Sequence, residues 1–217
     1  MQDTYELRKE IIETCLWMRS EGLVYGTWGN ISVRLDEGNY LITPSKVDYA
    51  VMQPEDLVVL APDGTQVRGT RLSTSERELH RGILNKRPDV NAIIHTHSPY
   101  AMAAAARNTG VPVISEEMCQ LLGGPIPLSH HFVPSQDHVE LGRVVTASVT
   151  NVNAILIRNH GPVSFGRSLT EAKVCAQIVE KSCRIYLTLL ASGGMQTISE
   201  PYVSAGRDYF LNGYGKT

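Results

Sequence analysis

The chain has 217 residues, of which 42% are hydrophobic and 19% charged, and its formal net charge is −2. This length is enough to bury a sizeable core, and the composition excludes a disordered chain. The slight acidity disfavours a nucleic-acid-binding protein, and no apolar run approaches the roughly 20 residues that cross a bilayer.

The first third of the chain predicts one helix and then several short strands. Apolar residues at helical spacing predict a helix in "TYELRKEIIETCLWMRSEG", which Gly22 can end. "GTWGNISVRL" predicts a glycine-rich loop and a strand, and "NYLITPSKVDYAVM" predicts a second strand that Pro44 interrupts. "PEDLVVLAPDGTQV" predicts a hairpin with its turn at Asp63-Gly64.

The middle of the chain alternates between helical and extended patterns. "STSERELHRGILNK" predicts a helix that opens with a capping box of Ser75 and Glu78 and ends before Pro88. "NAIIHTH" predicts a buried strand, and "SPYAMAAAARNTG" predicts an alanine-rich helix. "VPVISEEMC" predicts a further short strand.

The last third predicts two helices around a pair of strands. "SQDHVELGRVVTASVTN" predicts a helix capped by Asp137, and "NAILIRNHGPVSFG" predicts two strands or a strand and a loop. A long helix follows, with a capping box of Ser168 and Glu171 and an end at Gly193-Gly194. Because several strands are consecutive hairpin candidates, we expect one α/β domain over 1–217, with helices packed on a partly antiparallel sheet.

Two histidines follow the strand predicted in "NAIIHTH". Side chains alternate along a strand, so His95 and His97 point to the same side. The similar stretch "NAILIRNHG" adds His160 after a matching strand. Catalytic zinc sites often use three protein ligands and leave one position open. The residues alone leave two interpretations open, a metal site and a set of hydrogen-bonded structural histidines.

Glu76 lies at the start of the helix predicted after Ser75. It is either a favourable partner of the helix dipole or a fourth ligand or general base near the metal. Hydroxyls and free N–H groups at this helix start, together with the loop "GTWGNIS", suit a phosphate group. His80 follows one turn after Glu76 and is interpreted as a helix-surface or packing residue.

Five segments in a fixed order resemble the class II aldolase/adducin family over nearly the whole chain, and most of all its L-fuculose-1-phosphate aldolases. They are "GTWGNISVR", "LITPSKVDYAVMQPEDLVVL", "STSERELH", "NAIIHTHSP" and "NAILIRNHG". The resemblance implies a three-layer α/β/α fold with a largely antiparallel central sheet. It also implies a homotetramer with active sites at subunit interfaces and a small phosphorylated sugar as substrate. We expect a cytoplasmic protein, because the charged N-terminus does not resemble a secretory signal. The net charge and the lack of a long apolar run disfavour nucleic acid and membrane as partners.

The resemblance also assigns roles to individual residues. It makes His95, His97 and His160 the ligands of one Zn²⁺ per subunit, with Mn²⁺, Co²⁺ or Fe²⁺ as alternatives. It makes Glu76 a further ligand that doubles as the catalytic base, and Tyr214 a catalytic residue from the C-terminal tail. The implied phosphate-binding residues are Gly29, Asn30, Ser45, Lys46, Thr74 and Ser75. Among these, Lys46 stands where the related enzymes have glycine.

The segment "PVISEEMCQLLGG" bears on the choice of reaction. The related aldolases have a tyrosine here, and the 4-epimerases have an aspartate where this chain has Gln120. An amide cannot exchange a proton at neutral pH, which disfavours epimerisation, while Glu117 before Met118 resembles the acid/base glutamate of a related dehydratase.

We therefore expect a zinc-dependent aldolase that cleaves a ketose 1-phosphate between C3 and C4 to dihydroxyacetone phosphate and an aldehyde. The substrate expected is L-fuculose 1-phosphate or a deoxy- or methylthio-pentulose 1-phosphate. Glu76, Glu117 and Tyr214 are the expected proton-transfer residues. The alternatives are a sugar-phosphate 4-epimerase or dehydratase of the same fold, and a non-catalytic adducin-like scaffold.

Overall fold

The computed structural model describes residues 1–215 and is built on one seven-stranded sheet. The strands are β1 (Asn30–Arg34), β2 (Tyr40–Ile42), β3 (Val58–Leu60), β4 (Gln66–Arg68), β5 (Ala92–His95), β6 (Ala154–Ile157) and β7 (Gly161–Gly166). The helices are α1 (Tyr5–Ser20), α2 (Arg77–Lys86), α3 (Pro99–Ala105), α4 (His138–Ser148), α5 (Leu169–Ala191) and α6 (Glu200–Asn212). A short π-helical turn covers Met118–Leu122.

The sheet has the strand order β4-β3-β2-β1-β5-β7-β6, and every neighbouring pair is antiparallel. The hairpin predicted around Asp63-Gly64 is the β3–β4 pair. The stretch "NAILIRNHGPVSFG" forms the β6–β7 pair, so of its two interpretations the pair of strands is confirmed.

Helices cover both faces of the sheet, which confirms the predicted three-layer α/β/α fold. On one face, α1 and α5 bury apolar residues against β1, β2 and β5. On the opposite face, α2 and α4 pack on a second cluster that includes Phe165 and Ile93. A third cluster joins α3, α5, α6 and the π-helical turn. Within residues 1–215, no helix combines the length and the apolar character needed to cross a membrane.

The start of α2 differs from the prediction. The helix begins at Arg77 with Glu76 as its N-cap residue, and no side chain caps it. The predicted capping box is therefore wrong, because the Glu78 carboxylate pairs with Arg81 at 2.7 Å instead of turning back to the helix start. The other predicted caps are present: Asp137 accepts a hydrogen bond from the N–H of Glu140, and Ser168 from that of Glu171.

Two further segments depart from the sequence-based expectation. The predicted strand "VPVISEEMC" is wrong, because only an isolated bridge between Val111 and Ile126 forms there and the chain then enters the π-helical turn. The helix α6 was not predicted. Pro201 lies in its first turn, a position where proline is common, and this signal could have revealed the helix.

Candidate active site

Strand pairing brings the predicted metal ligands to one end of the sheet. Asn30 at the start of β1 lies opposite His95 at the end of β5. His160 lies in the turn between β6 and β7, directly after Asn159, whose φ of +55° is in the left-handed region. At Gly161 any Cβ atom would collide with the carbonyl oxygen of Thr96. Glycine at this position therefore allows the turn to approach the strand end that carries the other two histidines.

Three imidazole nitrogens and one carboxylate converge at this strand end. The Nε2 atom of His97 lies 3.1 Å from that of His95 and 3.1 Å from that of His160. The Glu76 carboxylate lies beside them, with Oε1 at 3.1 Å from His160 Nε2 and Oε2 at 3.4 Å from His95 Nε2. Sequence reasoning had grouped these four residues, and the structure brings all four together.

The protonation of the histidines suits a cation. The Nδ1 atom of His95 lies 2.9 Å from the carbonyl oxygen of Pro162, which can only accept, so Nδ1 carries the proton and Nε2 is left with its lone pair. Burial lowers the pKa of His95, and burial together with the other two imidazoles lowers the pKa of His97 to about 3. Both side chains are therefore neutral at pH 7, which is the form that binds a metal.

The Glu76 carboxyl, unlike the histidines, is held in its charged form. Its burial opposes ionisation, but His95, His160 and a hydrogen bond from Asn30 outweigh this effect and hold its pKa far below the usual range. The donor atoms of a tetrahedral zinc site with Zn–N bonds of about 2.0–2.1 Å lie about 3.3 Å apart. The two Nε2–Nε2 distances of 3.1 Å from His97 are close to this value, and the ligand atoms of the three histidines all lie within 4.8 Å of one another. With Glu76 beside them, these residues fit a divalent cation held by three imidazoles and a carboxylate.

A cleft of about 370 Å³ opens beside the histidines. It is lined by all six residues predicted to bind phosphate, namely Gly29, Asn30, Ser45, Lys46, Thr74 and Ser75. Backbone hydrogen bonds join two of these segments, from Ser45 N–H to the carbonyl of Leu72 at 2.9 Å and from Thr74 N–H to that of Thr43 at 3.0 Å. Ser135 also lines the cleft and was not singled out from the sequence.

Lys46 differs from the other residues of the cleft in charge and in backbone conformation. Among the described residues that line the cleft, it is the one with an ammonium or guanidinium group. Its φ of +59° lies in the left-handed region, where a residue with a side chain is strained. A positive charge is therefore held in this cleft at a position that favours glycine.

A mainly apolar wall also adjoins His97. Its apolar residues are Tyr25, Trp28, Pro99, Met102, Phe132, Val133 and Pro134, and Ser135, Gln136 and Asn159 line it as well. The ring of Trp28 meets the His97 ring edge-on, with 5.5 Å between centroids, and is 65% exposed. This wall was not predicted from the sequence, because its apolar residues come from three separate segments of the chain.

Two predicted catalytic residues lie elsewhere in the chain. Glu117 precedes the π-helical turn, and its carboxylate forms an ion pair with Lys181 at 2.5 Å. Tyr214 follows α6 and packs against Phe210, with 6.0 Å between ring centroids. Neither residue lines the cleft or the apolar wall beside the histidines. Within one chain, the structure does not bring Glu117 and Tyr214 to the other site residues.

The comparisons with known proteins agree with this geometry. The sequence profile of the class II aldolase and adducin N-terminal domain matches residues 9–187. The L-fuculose phosphate aldolase of Escherichia coli K12 is 33% identical over 186 residues, which cover 86% of this chain and 85% of that enzyme. The 5-deoxy-D-ribulose 1-phosphate aldolase of Bacillus thuringiensis is 31% identical over 212 residues, which cover 96% of this chain and 97% of that enzyme.

A solved structure and a more distant relative complete the comparison. The solved structure, an L-fuculose 1-phosphate aldolase, superimposes with a TM-score of 0.90 at 25% identity, covering 96% of this chain and 97% of that one. An L-ribulose-5-phosphate 4-epimerase of Salmonella paratyphi B is 27% identical, covering 95% of this chain and 92% of that enzyme. The chain belongs to the class II aldolase and adducin family.

Proposed function

We propose that this protein is a metal-dependent aldolase that cleaves a ketose 1-phosphate to dihydroxyacetone phosphate and an aldehyde. The observation that carries the proposal is that His97 and His160 line two adjoining and unlike surfaces. One is a hydroxyl-lined cleft with one ammonium group, and the other is a mainly apolar wall whose described lining has no Lys, Arg, Asp or Glu side chain. A sugar with a phosphate at one end and an apolar group at the other matches this arrangement.

The phosphate end is assigned to the cleft. The hydroxyls of Ser45, Thr74 and Ser75 and the ammonium of Lys46 are suitable donors for phosphate oxygens. These groups line one cavity together with Glu76, so a bound phosphate places the adjoining carbons of the sugar near the histidines.

The apolar wall is assigned to the far end of the sugar. Trp28, Met102 and Phe132 offer no charged group to a substrate hydroxyl and suit a methyl or methylthio group. The name of the 5-deoxy-D-ribulose 1-phosphate aldolase, a relative, describes a sugar whose last carbon is a methyl group. We therefore favour a deoxy- or methylthio-pentulose 1-phosphate or L-fuculose 1-phosphate as substrate.

His95, His97, His160 and Glu76 would hold the divalent cation. Zn²⁺ bound there supplies Lewis-acid polarisation of the substrate carbonyl. Cleavage between C3 and C4 requires that the C4 hydroxyl lose its proton, and the enediolate that leaves must gain a proton at C3. Glu76 is the candidate to give that proton to C3; because it is ionised in the absence of substrate, it must first take up a proton from solvent.

The proton on the aldehyde side requires a second group. Glu117 and Tyr214 are the candidates, and both lie outside the cleft of their own chain. We infer that a neighbouring subunit of a homotetramer supplies them, as the family resemblance implies. A positioned acid or base of this kind contributes typically about 10²–10⁴ in rate.

A 4-epimerase is the second candidate, because a relative with that activity covers most of this chain. It would use the same cleft and the same cation. Gln120 disfavours it, because the side-chain amide of that residue cannot exchange a proton at neutral pH, and its NH₂ group already donates to Glu116 at 2.9 Å.

The deciding experiment incubates the zinc-loaded protein with three ketose 1-phosphates: L-fuculose, 5-deoxyribulose and 5-methylthioribulose 1-phosphate. Dihydroxyacetone phosphate is followed by NADH oxidation with glycerol-3-phosphate dehydrogenase. With at least one of these substrates, we expect one equivalent of NADH to be oxidised for each equivalent of substrate that is cleaved. Consumption of a substrate without dihydroxyacetone phosphate would instead indicate epimerisation or dehydration, and no turnover with any of them would contradict the proposal.

A further inference from the structure

A chain of buried hydrogen bonds runs from β1 through α2 to Glu76. His80 is fully buried, and both of its ring nitrogens have partners. Its Nδ1 lies 2.7 Å from Ser32 Oγ, and its Nε2 lies 2.5 Å from Asn30 Oδ1. The Asn30 amide then donates from Nδ2 to Glu76 Oε2 at 2.7 Å. Ser32 and Asn30 are also buried, at 0% and 4% exposure, so water cannot replace these partners.

The charge of Glu76 fixes the direction of every bond in this chain. A carboxylate only accepts, so Asn30 must present its NH₂ group to Glu76 and its carbonyl oxygen to His80. That oxygen also only accepts, so His80 carries its proton on Nε2. Its Nδ1 therefore accepts from the Ser32 hydroxyl. Burial lowers the pKa of His80 to about 3, which agrees with this neutral form.

We propose that His80 is a positioning residue that holds the Asn30 amide with its NH₂ group toward Glu76, and that it thereby keeps this carboxylate aligned with the three histidines. The inference rests on the proposed metal site. Without the Nε2–H donor, the Asn30 amide is free to rotate and to present its oxygen to the carboxylate. The Asn30 oxygen and the Glu76 carboxylate would then repel each other, so the carboxylate would move away from the three histidines.

The same chain of hydrogen bonds connects the proposed metal site with the cleft assigned to the phosphate. Asn30 also lines the cleft assigned to the phosphate, and its Nδ2 carries a second hydrogen beyond the one used for Glu76. The His80 side chain does not line the cleft and forms its hydrogen bonds to Ser32 and Asn30, not to a predicted metal ligand, which distinguishes its role from direct binding.

A matched pair of substitutions separates positioning from packing. In His80→Gln, the side-chain NH₂ replaces the Nε2–H donor to Asn30. In His80→Asn, the shorter amide occupies the place of Nδ1 and leaves the Asn30 oxygen without a donor. Both remove an imidazole from the same buried position, so a purely structural role predicts similar losses for the two.

The readout is zinc affinity, measured by competition with a chromophoric chelator on the metal-free protein, with thermal midpoints measured in parallel. We expect His80→Asn to bind zinc about 10–100-fold more weakly, the range typical for partners that orient a ligand, and His80→Gln to stay within about threefold of wild type. Equal affinities of the two variants, or losses that simply follow the thermal midpoints, would overturn the proposal.

Ser32→Ala provides a second test if His80→Asn does not fold. It removes the hydroxyl that fixes the histidine tautomer, and we expect zinc binding about threefold to tenfold weaker. Ser182→Ala is the control, because that serine is equally buried but lies in α5. Unchanged zinc affinity in Ser32→Ala would contradict the proposal that hydrogen bonds from Ser32 through His80 and Asn30 hold Glu76 in place. A wild-type protein that binds no zinc would overturn the proposed metal site as well, which distinguishes the two failures.

Discussion

At the scale of single residues, Lys46 combines a charge with an unfavourable backbone conformation. A residue with a Cβ atom pays roughly 1–2 kcal/mol for the left-handed region, whereas glycine adopts it freely. Strain of this kind persists where it serves a function. At Lys46 the candidate function is the ammonium group, because the rest of the described cleft lining has no other ammonium or guanidinium to attract a phosphate.

Lys46→Gly should therefore change stability and substrate binding in opposite directions. We expect the free energy of unfolding to rise by about 0.5–1 kcal/mol, because the strain is relieved and only part of the gain is lost to the more flexible unfolded chain. We expect KM for the sugar phosphate to rise about tenfold and to depend less on salt, because one charge-assisted contact is lost. Urea titration and initial rates at two salt concentrations measure both effects.

Lys46→Arg is the matched control, since it keeps the charge and the strain. Its KM should stay near the wild-type value, and its stability should not rise. If Lys46→Gly left KM and its salt dependence unchanged, the lysine would not contact the phosphate.

The residues of the site differ in how readily the sequence reveals them. His95 and His97 could be grouped because their spacing matches the alternation of a strand, and His160 because it follows a similar strand. The role of His80 could not be predicted, because its partners Asn30 and Ser32 lie 50 and 48 residues earlier in the chain and meet it only when β1 packs beneath α2.

At the scale of secondary structure, the contact between α2 and α4 determines where Glu76 and His80 lie. The two helices approach closely because each has a glycine at the crossing. Gly82 faces Thr146 of α4, and Gly142 faces the backbone of Glu78. A methyl group at Gly82 would collide with the Thr146 hydroxyl.

Gly82→Ala should consequently destabilise the fold by about 1–3 kcal/mol, the usual range for overpacking. Adding Thr146→Ala should restore more than half of this loss, because the nearest remaining atom, the Cβ of residue 146, would lie 3.2 Å from the new methyl group. Urea unfolding of wild type, both single variants and the double variant gives the coupling energy. Strictly additive effects on the free energy of unfolding would show that contact with Thr146 does not limit the size of the side chain at position 82.

The elements themselves were predictable to the extent that their signals are local. The β3–β4 hairpin and the caps at Asp137 and Ser168 follow from neighbouring residues, and they form as expected. The capping box predicted at the start of α2 does not form, because the Glu78 carboxylate pairs with Arg81 instead. The spacing of Ser75 and Glu78 alone does not reveal this competing partner. The segment before Met118 failed as a strand because its apolar side chains pack against α5 and α6 and not along a sheet.

At the scale of the whole molecule, a single chain leaves the proposed reaction without a group to accept the proton of the C4 hydroxyl. Glu117 and Tyr214 lie near α5 and α6, apart from the cleft that holds the histidines. In a cyclic homotetramer, each site can draw its metal ligands from one subunit and these residues from the next. The alternative, catalysis within one chain, requires a different acid or base among the residues of the cleft.

Subunit mixing distinguishes these two arrangements. We expect His95→Ala and Glu117→Gln each to inactivate a homotetramer, whereas a site that joins an intact Glu117 from one subunit to intact histidines from the next would be complete. Random assembly of equal amounts gives such sites at about one in four positions of the ring. We therefore expect co-expressed, doubly tagged mixtures to recover about a quarter of wild-type activity.

The control mixture pairs His95→Ala with His160→Ala, whose defects fall in the same half of the site. No site in that mixture can be complete, so its activity should stay at the level of the separate variants. If both variants were inactive and their mixture also stayed at that level although the two chains co-purify, Glu117 would act within its own chain. Recovery would instead place Glu117 at the junction of two subunits, where a monomer cannot assemble the site.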